Sequence, residues 1–143
     1  MYAKLNECLF MKNDVILNKI SIIERCIRRF HEEYENNLEN YTKQDSIILN
    51  LQRACEACID LAMHIVAEKK LGLPQTSRDA FSLLEEEGII TSSLSQKMKA
   101  MVGFRNIAVH NYQDLNLAIL QKILDEHLVD FVESTKTIFS YLS

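Results

Sequence analysis

The chain is almost without backbone punctuation: Gly72, Gly88, Gly103 and Pro74 are the only glycines and the only proline in 143 residues. These are the residues that most readily end a helix, so their scarcity predicts long helices joined by few turns. The 48% hydrophobic content, rich in Leu and Ile among Glu and Lys, points the same way. A chain of this length is about one domain and can bury a core without disulfides or metal. The expected fold is all-α, a single up-and-down-like bundle of about five helices.

From Asn13 onward, Ile16, Ile20, Ile23, Ile27, Phe30 and Tyr34 recur at spacings of four and three, the stripe of an amphipathic helix over roughly Asp14 to Glu35. Met1 to Lys12 are less patterned and read as an N-terminal extension (1–12), leaving 13–143 as the helical domain. A polar run from Glu35 to Gln44 forms the first loop, and a second helix starts at Thr42 or Lys43 and runs to about Lys70. Its stripe of Ile48, Leu51, Cys55, Cys58, Ala62 and Ile65 is widened by Ile47, Ala54, Leu61 and Val66, which predicts the most buried helix of the bundle. Gly72, suited to a left-handed cap, and Pro74 stop it. Thr76 with Asp79 resembles a capping box opening a short helix to Glu87, closed by Gly88. Either Ser93 with Gln96 or Thr91 caps a fourth helix, whose core stripe is Leu94, Met98, Met101 and Ala108. A last long helix follows from Leu117 to Leu142.

A net charge of −4 argues against a broad basic face for nucleic acid. Between Gly88 and Gln113, however, there is no acidic residue, while Lys97, Lys99 and Arg105 all fall inside, so an acidic chain carries one cationic segment. An anionic ligand is expected there. No G-x-x-x-x-G-K-[ST] phosphate loop occurs. Cys8, Cys26, Cys55 and Cys58 sit in apolar helical patterns, and no signal-peptide core or membrane-length apolar run is present, so the expectation is a reduced cytoplasm and no membrane. Cys55 and Cys58 form C-x-x-C with His64 beyond, but a structural zinc needs four ligands and no second C-x-x-C exists; neither metal nor cofactor is expected.

The densest cluster of functional groups is Gly103 to Tyr112, G-F-R-N-I-A-V-H-N-Y, near an expected helix end. Arg105 points along a partly apolar stripe and needs a partner, for which Asp60 is the candidate; a structural role in such a pair is one reading and anion binding the other. Asn106 and His110 are four residues apart, so the amide can fix the tautomer of the imidazole, and an imidazole titrating near pH 6.5 can exchange a proton with a ribose hydroxyl. A capping or surface role for His110 stands beside that. On an ideal helix Arg105 and His110 lie about 140° apart, so they flank one phosphate only if the helix unwinds near His110 or a second subunit contributes.

The segment from R-D-A-F at Arg78 through L-S-Q-K-M-K-A-M-V-G-F-R-N-I-A-V-H-N-Y resembles the HEPN superfamily, and specifically its HepT-type toxins. Arg105, His110 and Tyr112 fill the signature R-x-x-x-x-H-x-Y, and a polar Asn106 follows the arginine. The stretch Q-R-A-C-E-A-C-I-D-L-A-M-H-I is similar to the family's second helix, and the likeness runs from about Asn13 to the end. The resemblance implies the toxin of a type VII-like toxin–antitoxin system: a metal-independent endoribonuclease acting on tRNA or mRNA as a homodimer. In it His110, Arg105 and Asn106 would be the catalytic set. An MntA-type nucleotidyltransferase antitoxin, using ATP, would silence it by AMPylation of Tyr112. The alternative is a non-catalytic HEPN subunit that binds nucleotide or RNA beside a nucleotidyltransferase.

Several residues keep two readings. Asp60 and His64, an i,i+4 pair, either bond each other or support Arg105 from behind. Arg78 binds phosphate or anchors a subunit interface, and Lys97 and Lys99 are the expected additional RNA contacts. Glu85, Glu86 and Glu87 are a solvated helix end or a docking point for the partner, and Gly103 is expected to admit a neighbouring backbone.

Overall fold

The computed structural model describes residues 2–33, 41–110 and 117–142, and at 2–13, 33, 41, 43, 110, 117, 119, 124, 139 and 142 it describes the backbone alone. No strand occurs among the described residues. The elements are α1 (Tyr2–Glu33), α2 (Tyr41–Glu68), α3 (Ser77–Glu86), α4 (Ser92–His110), α5 (Leu117–Lys122), a π-helical turn (Ile123–His127) and α6 (Leu128–Leu142). The last three are contiguous and form one rod, so five helical rods make the bundle. No helix among the described residues is long and apolar enough to cross a membrane.

The expected stripes are the core. Ile16, Ile20, Ile23 and Phe30 of α1 are buried against α2, each worth about 1.5–3 kcal/mol. Ile27 is only half-buried and Cys26 takes the inner position beside it, while Tyr34 lies outside the described residues. Helix α2 buries Ile47, Leu51, Ala54, Leu61 and Ile65 and packs on α1, α3, α4 and α6, the central place expected of the helix that is apolar nearly all round.

Two boundaries differ from the expectation. Helix α1 starts at Tyr2 rather than near Asp14, so the helical backbone continues through the segment read as an extension. Helix α2 ends at Glu68, and the left-handed residue that closes it is Lys70, φ 54°, not Gly72. The amides of Lys70 and Leu71 return to the carbonyls of Ala67 and Val66 at 3.3 and 3.0 Å, a two-bond cap that offsets the roughly 1–2 kcal/mol cost of a left-handed non-glycine.

The remaining caps follow their residues. Thr76 accepts from the Asp79 amide at 3.2 Å while the Asp79 carboxylate accepts from the Thr76 amide at 3.2 Å, the expected capping box of α3. Gly88, φ 75°, closes α3, with Ile89 returning to the Leu84 carbonyl at 3.0 Å. Of the two candidate caps for α4, Thr91 is the one used: its hydroxyl accepts from the Leu94 amide at 3.1 Å. These two caps set the pose of α3 against α4, where the arginines meet.

Candidate functional site

Helix α4 carries Arg105, Asn106 and His110, and its backbone stays helical through His110. The unwinding that would swing His110 towards Arg105 is therefore absent up to that residue. The side chain of His110 and all of Tyr112 lie outside the described residues, so the Asn106–His110 pair and the tyrosine are located by sequence alone. Asn106 is half-buried.

The Arg105 side chain is 19% exposed and is held from two elements. Its Nη2 donates to Ser77 Oγ at 3.1 Å, at the first turn of α3. Its Nε lies 3.5 Å from Glu56 Oε1 on α2, close enough for attraction but without hydrogen-bond alignment, so this buried N–H has no bonded partner. Asp60 is not the partner. It binds Lys19 Nζ at 3.2 Å, which ties α1 to α2 instead. Glu56 and Asp60 are one helical turn apart, and the axial register of α4 against α2 brings the guanidinium to the former. His64 does not pair with Asp60 either: its Nε2 sits 3.4 Å from Glu68 Oε2, one turn further along α2. Both residues are thereby removed from the support of Arg105.

Arg78, next to Ser77, lies across α4. Its Nε donates to the Lys99 carbonyl over a long 3.5 Å, and its Nη2 is 3.1 Å from where a side chain on Gly103 would begin. Gly103 thus seats a guanidinium, not a neighbouring backbone. Two arginines consequently meet the α3–α4 contact, Arg78 exposed and Arg105 recessed.

Lys97, expected as an RNA contact, is paired with acids of the last helix. Its Nζ is 3.5 Å from Glu133 Oε2 and 3.8 Å from Asp130 Oδ1 on α6. Asp130 is only 1% exposed, and its other oxygen bonds His127 Nδ1 at 2.9 Å. The acid-free stretch seen in the sequence is therefore partly neutralised by acids of the last helix. Lys99 is half-buried and makes no ion pair among the described residues.

Among the described residues no three His, Cys, Asp or Glu side chains converge on a point that could hold a metal. Cys26, Cys55 and Cys58 are buried free thiols. Burial, with Glu56 beside it, pushes the Cys55 thiol up to about 12 against the opposing pull of Arg105, and burial raises Cys58 as well. Such thiols are inert hydrophobes rather than nucleophiles or ligands.

Glu56, Ser77 and the His127–Asp130–Lys97 cluster were not singled out in the sequence. Glu56 lies in the Q-R-A-C-E-A-C stretch one turn before Asp60, which is a signal of proximity without a means of choosing between the two acids. The π-helical turn that brings His127 next to Asp130 leaves no mark in the apolar pattern of Leu117, Leu120, Leu124 and Leu128.

Residues 16–138 match the family described as ribonuclease HepT-like. The chain is 53% identical over 122 residues to the mRNA nuclease HepT of Shewanella oneidensis, covering 83% of this chain and 92% of that protein. It is 29% identical over 107 residues to the tRNA nuclease HepT of Aphanizomenon flos-aquae, covering 71% and 72%. Its fold matches, at a TM-score of 0.85 and 50% identity over 89% of this chain and 98% of the other, a tri-AMPylated Shewanella oneidensis HEPN toxin in complex with its MNT antitoxin. The match spans every element that carries Arg105, Asn106 and His110, and the chain belongs to the HepT-like ribonuclease family.

Proposed function

We propose that this protein is the endoribonuclease toxin of a toxin–antitoxin pair, acting as a homodimer and restrained by AMP transfer to Tyr112. The observation that carries the reading is the placing of Arg105 and His110 on one helix, in a chain 53% identical to an mRNA nuclease. His110 takes the proton from a ribose 2′-hydroxyl, the 2′-oxygen bonds to the adjacent phosphorus, and the bond to the 5′-oxygen breaks as that oxygen takes a proton. Arg105 stabilises the charge that builds on the non-bridging oxygens. Asn106 orients the imidazole, and Arg78 and Lys99 add cationic contacts. The nucleophile belongs to the substrate, so no metal is needed to generate it.

Because α4 is helical through His110, Arg105 and His110 of one chain diverge by about 140° on an ideal helix, and a second copy supplies the complement. Ile107 and Val109, both exposed on α4 beside the motif, offer apolar surface for that copy. AMP attached at Tyr112, two residues from His110, puts negative charge and bulk where the RNA phosphate must sit. The solved relative that is both AMPylated and bound to its antitoxin supports this form of restraint.

The test is unmodified protein incubated with total RNA in EDTA beside Arg105→Ala and His110→Ala. Cleavage by the wild type alone is expected; intact RNA with the wild type, or cleavage by His110→Ala at the wild-type rate, overturns the reading. Incubation with ATP and the antitoxin should add AMP masses that Tyr112→Phe does not acquire.

A further inference from the structure

Away from α4, the α1–α2 contact encloses a pocket of about 130 Å³ lined by Ile22, Arg25, Cys26, Arg29, Asn50 and Arg53. Three guanidiniums from two helices line one small concavity, and none of them makes an ion pair among the described residues. Like charges gathered without counter-charge repel one another, so the arrangement favours a bound anion. Their fields converge: burial raises the Cys26 thiol, and Arg53, Arg25 and Arg29 each pull against it.

Asn50 is a second and independent indication. It is 4% exposed as a residue, it lines the pocket, and its side chain makes no hydrogen bond among the described residues. Its amide atoms stay accessible from the pocket, so the NH2 can donate to a ligand oxygen there. The volume is well under the roughly 300–1,000 Å³ of pockets that enclose a drug-sized molecule, so it suits a single anionic group rather than a whole nucleotide. Planar, forked arginine donors favour phosphate, whose tetrahedral oxygens can accept from several of them at once.

We propose that Arg25, Arg29, Arg53 and Asn50 form a phosphate subsite that holds the RNA backbone at a distance from the bond being cut. The inference rests on the ribonuclease reading above and deepens it, because it adds cationic contacts away from the motif, where Lys97 is already paired with acids. The three arginines are exposed, so their replacement is expected to leave the fold intact. Arg28 supplies the control: it is exposed on the same helix, carries the same charge, and does not line the pocket.

The experiment measures binding of a fluorescent 2′-O-methyl oligoribonucleotide, which cannot be cut by 2′-oxygen attack, across a salt series, with cleavage of the unmodified RNA in parallel. Arg29→Ala or Arg53→Ala should weaken binding about tenfold and lower the salt slope by roughly 0.7, the value for one lost phosphate contact on a single strand. Saturating cleavage by these variants should proceed at the wild-type rate with a raised KM. Arg28→Ala should bind almost as the wild type does, and Arg29→Lys should fall between. Equal losses for Arg28→Ala and Arg29→Ala would show a diffuse field and overturn the subsite, as would unchanged affinity and slope in Arg25→Ala/Arg29→Ala/Arg53→Ala. Either result leaves the ribonuclease reading standing if the wild type still cuts RNA; a wild type that neither binds nor cuts RNA ends both. A triple variant that binds RNA normally but no longer binds the nucleotidyltransferase assigns the pocket to the partner instead and overturns the proposal.

Discussion

Replacing Asp130 with alanine removes the buried one of the two acids of the last helical rod that face Lys97 of α4. Asp130 is 1% exposed, accepts from His127 Nδ1 at 2.9 Å and faces Lys97 Nζ at 3.8 Å. The short bond to an ionised acceptor is worth about 1.5–3 kcal/mol. The long contact to Lys97 adds roughly 0.5 kcal/mol, since that side chain is 39% exposed and water screens it. His127 can rehydrate once released, because 36% of its side chain is accessible. The expected loss is therefore about 2 kcal/mol, or a fall of roughly 6–10 °C in Tm for a chain of this size. Urea titration with a shared m-value is the assay, and Asp130→Asn, which keeps an acceptor but no charge, should lose roughly half as much. A change under about 0.5 kcal/mol in Asp130→Ala would refute the buried His127–Asp130 bond as a source of stability.

Three further outcomes follow from the same contacts. Gly103→Ala should stabilise by about 0.5 kcal/mol in denaturant, since alanine gains up to 1 kcal/mol in a helix interior and the displaced group is the far end of an exposed arginine; a loss above 1 kcal/mol would mean that Arg78 is fixed in place. Glu56→Gln should lower the KM for RNA several-fold with little change in stability, because a carboxylate 3.5 Å from Arg105 competes with phosphate for it; a raised KM would make Glu56 a positioning group. The Cys55 thiol, near 9.0 when unfolded, is pushed up to about 12 in the fold, so its contribution to stability is complete below pH 9 and is lost as pH rises towards 12. Alkaline destabilisation should accordingly be weaker in Cys55→Ala, and the wild-type thiol should resist alkylation at pH 8 until the protein is unfolded.

Much of the bundle was legible because its signals are local. The isoleucine stripe of α1, the all-round apolar α2, the Thr76–Asp79 box and Gly88 each act within a few residues, and each is found where the pattern placed it apart from Ile27, whose inner place Cys26 takes. What escaped depends on register between helices. Glu56 and Asp60 share a face of α2, and only the axial position of α4 decides which one Arg105 meets. Lys97 looked free because the acids that neutralise it lie more than thirty residues later, on a helix offset by a π-helical turn with no sequence signature. The cluster of Arg25, Arg29 and Arg53 likewise exists only once α1 and α2 are packed, being assembled from both helices.

The central claim is that the RNA supplies its own nucleophile at a site built around Arg105 and His110. Its most direct test is the cleavage rate in EDTA of an RNA carrying a single 2′-deoxyribose at the preferred cut, compared with the all-ribose strand. The account predicts cleavage of the ribose strand and none at the deoxy position. Cutting at the deoxy position, or a requirement for added divalent metal with the ribose strand, would contradict it.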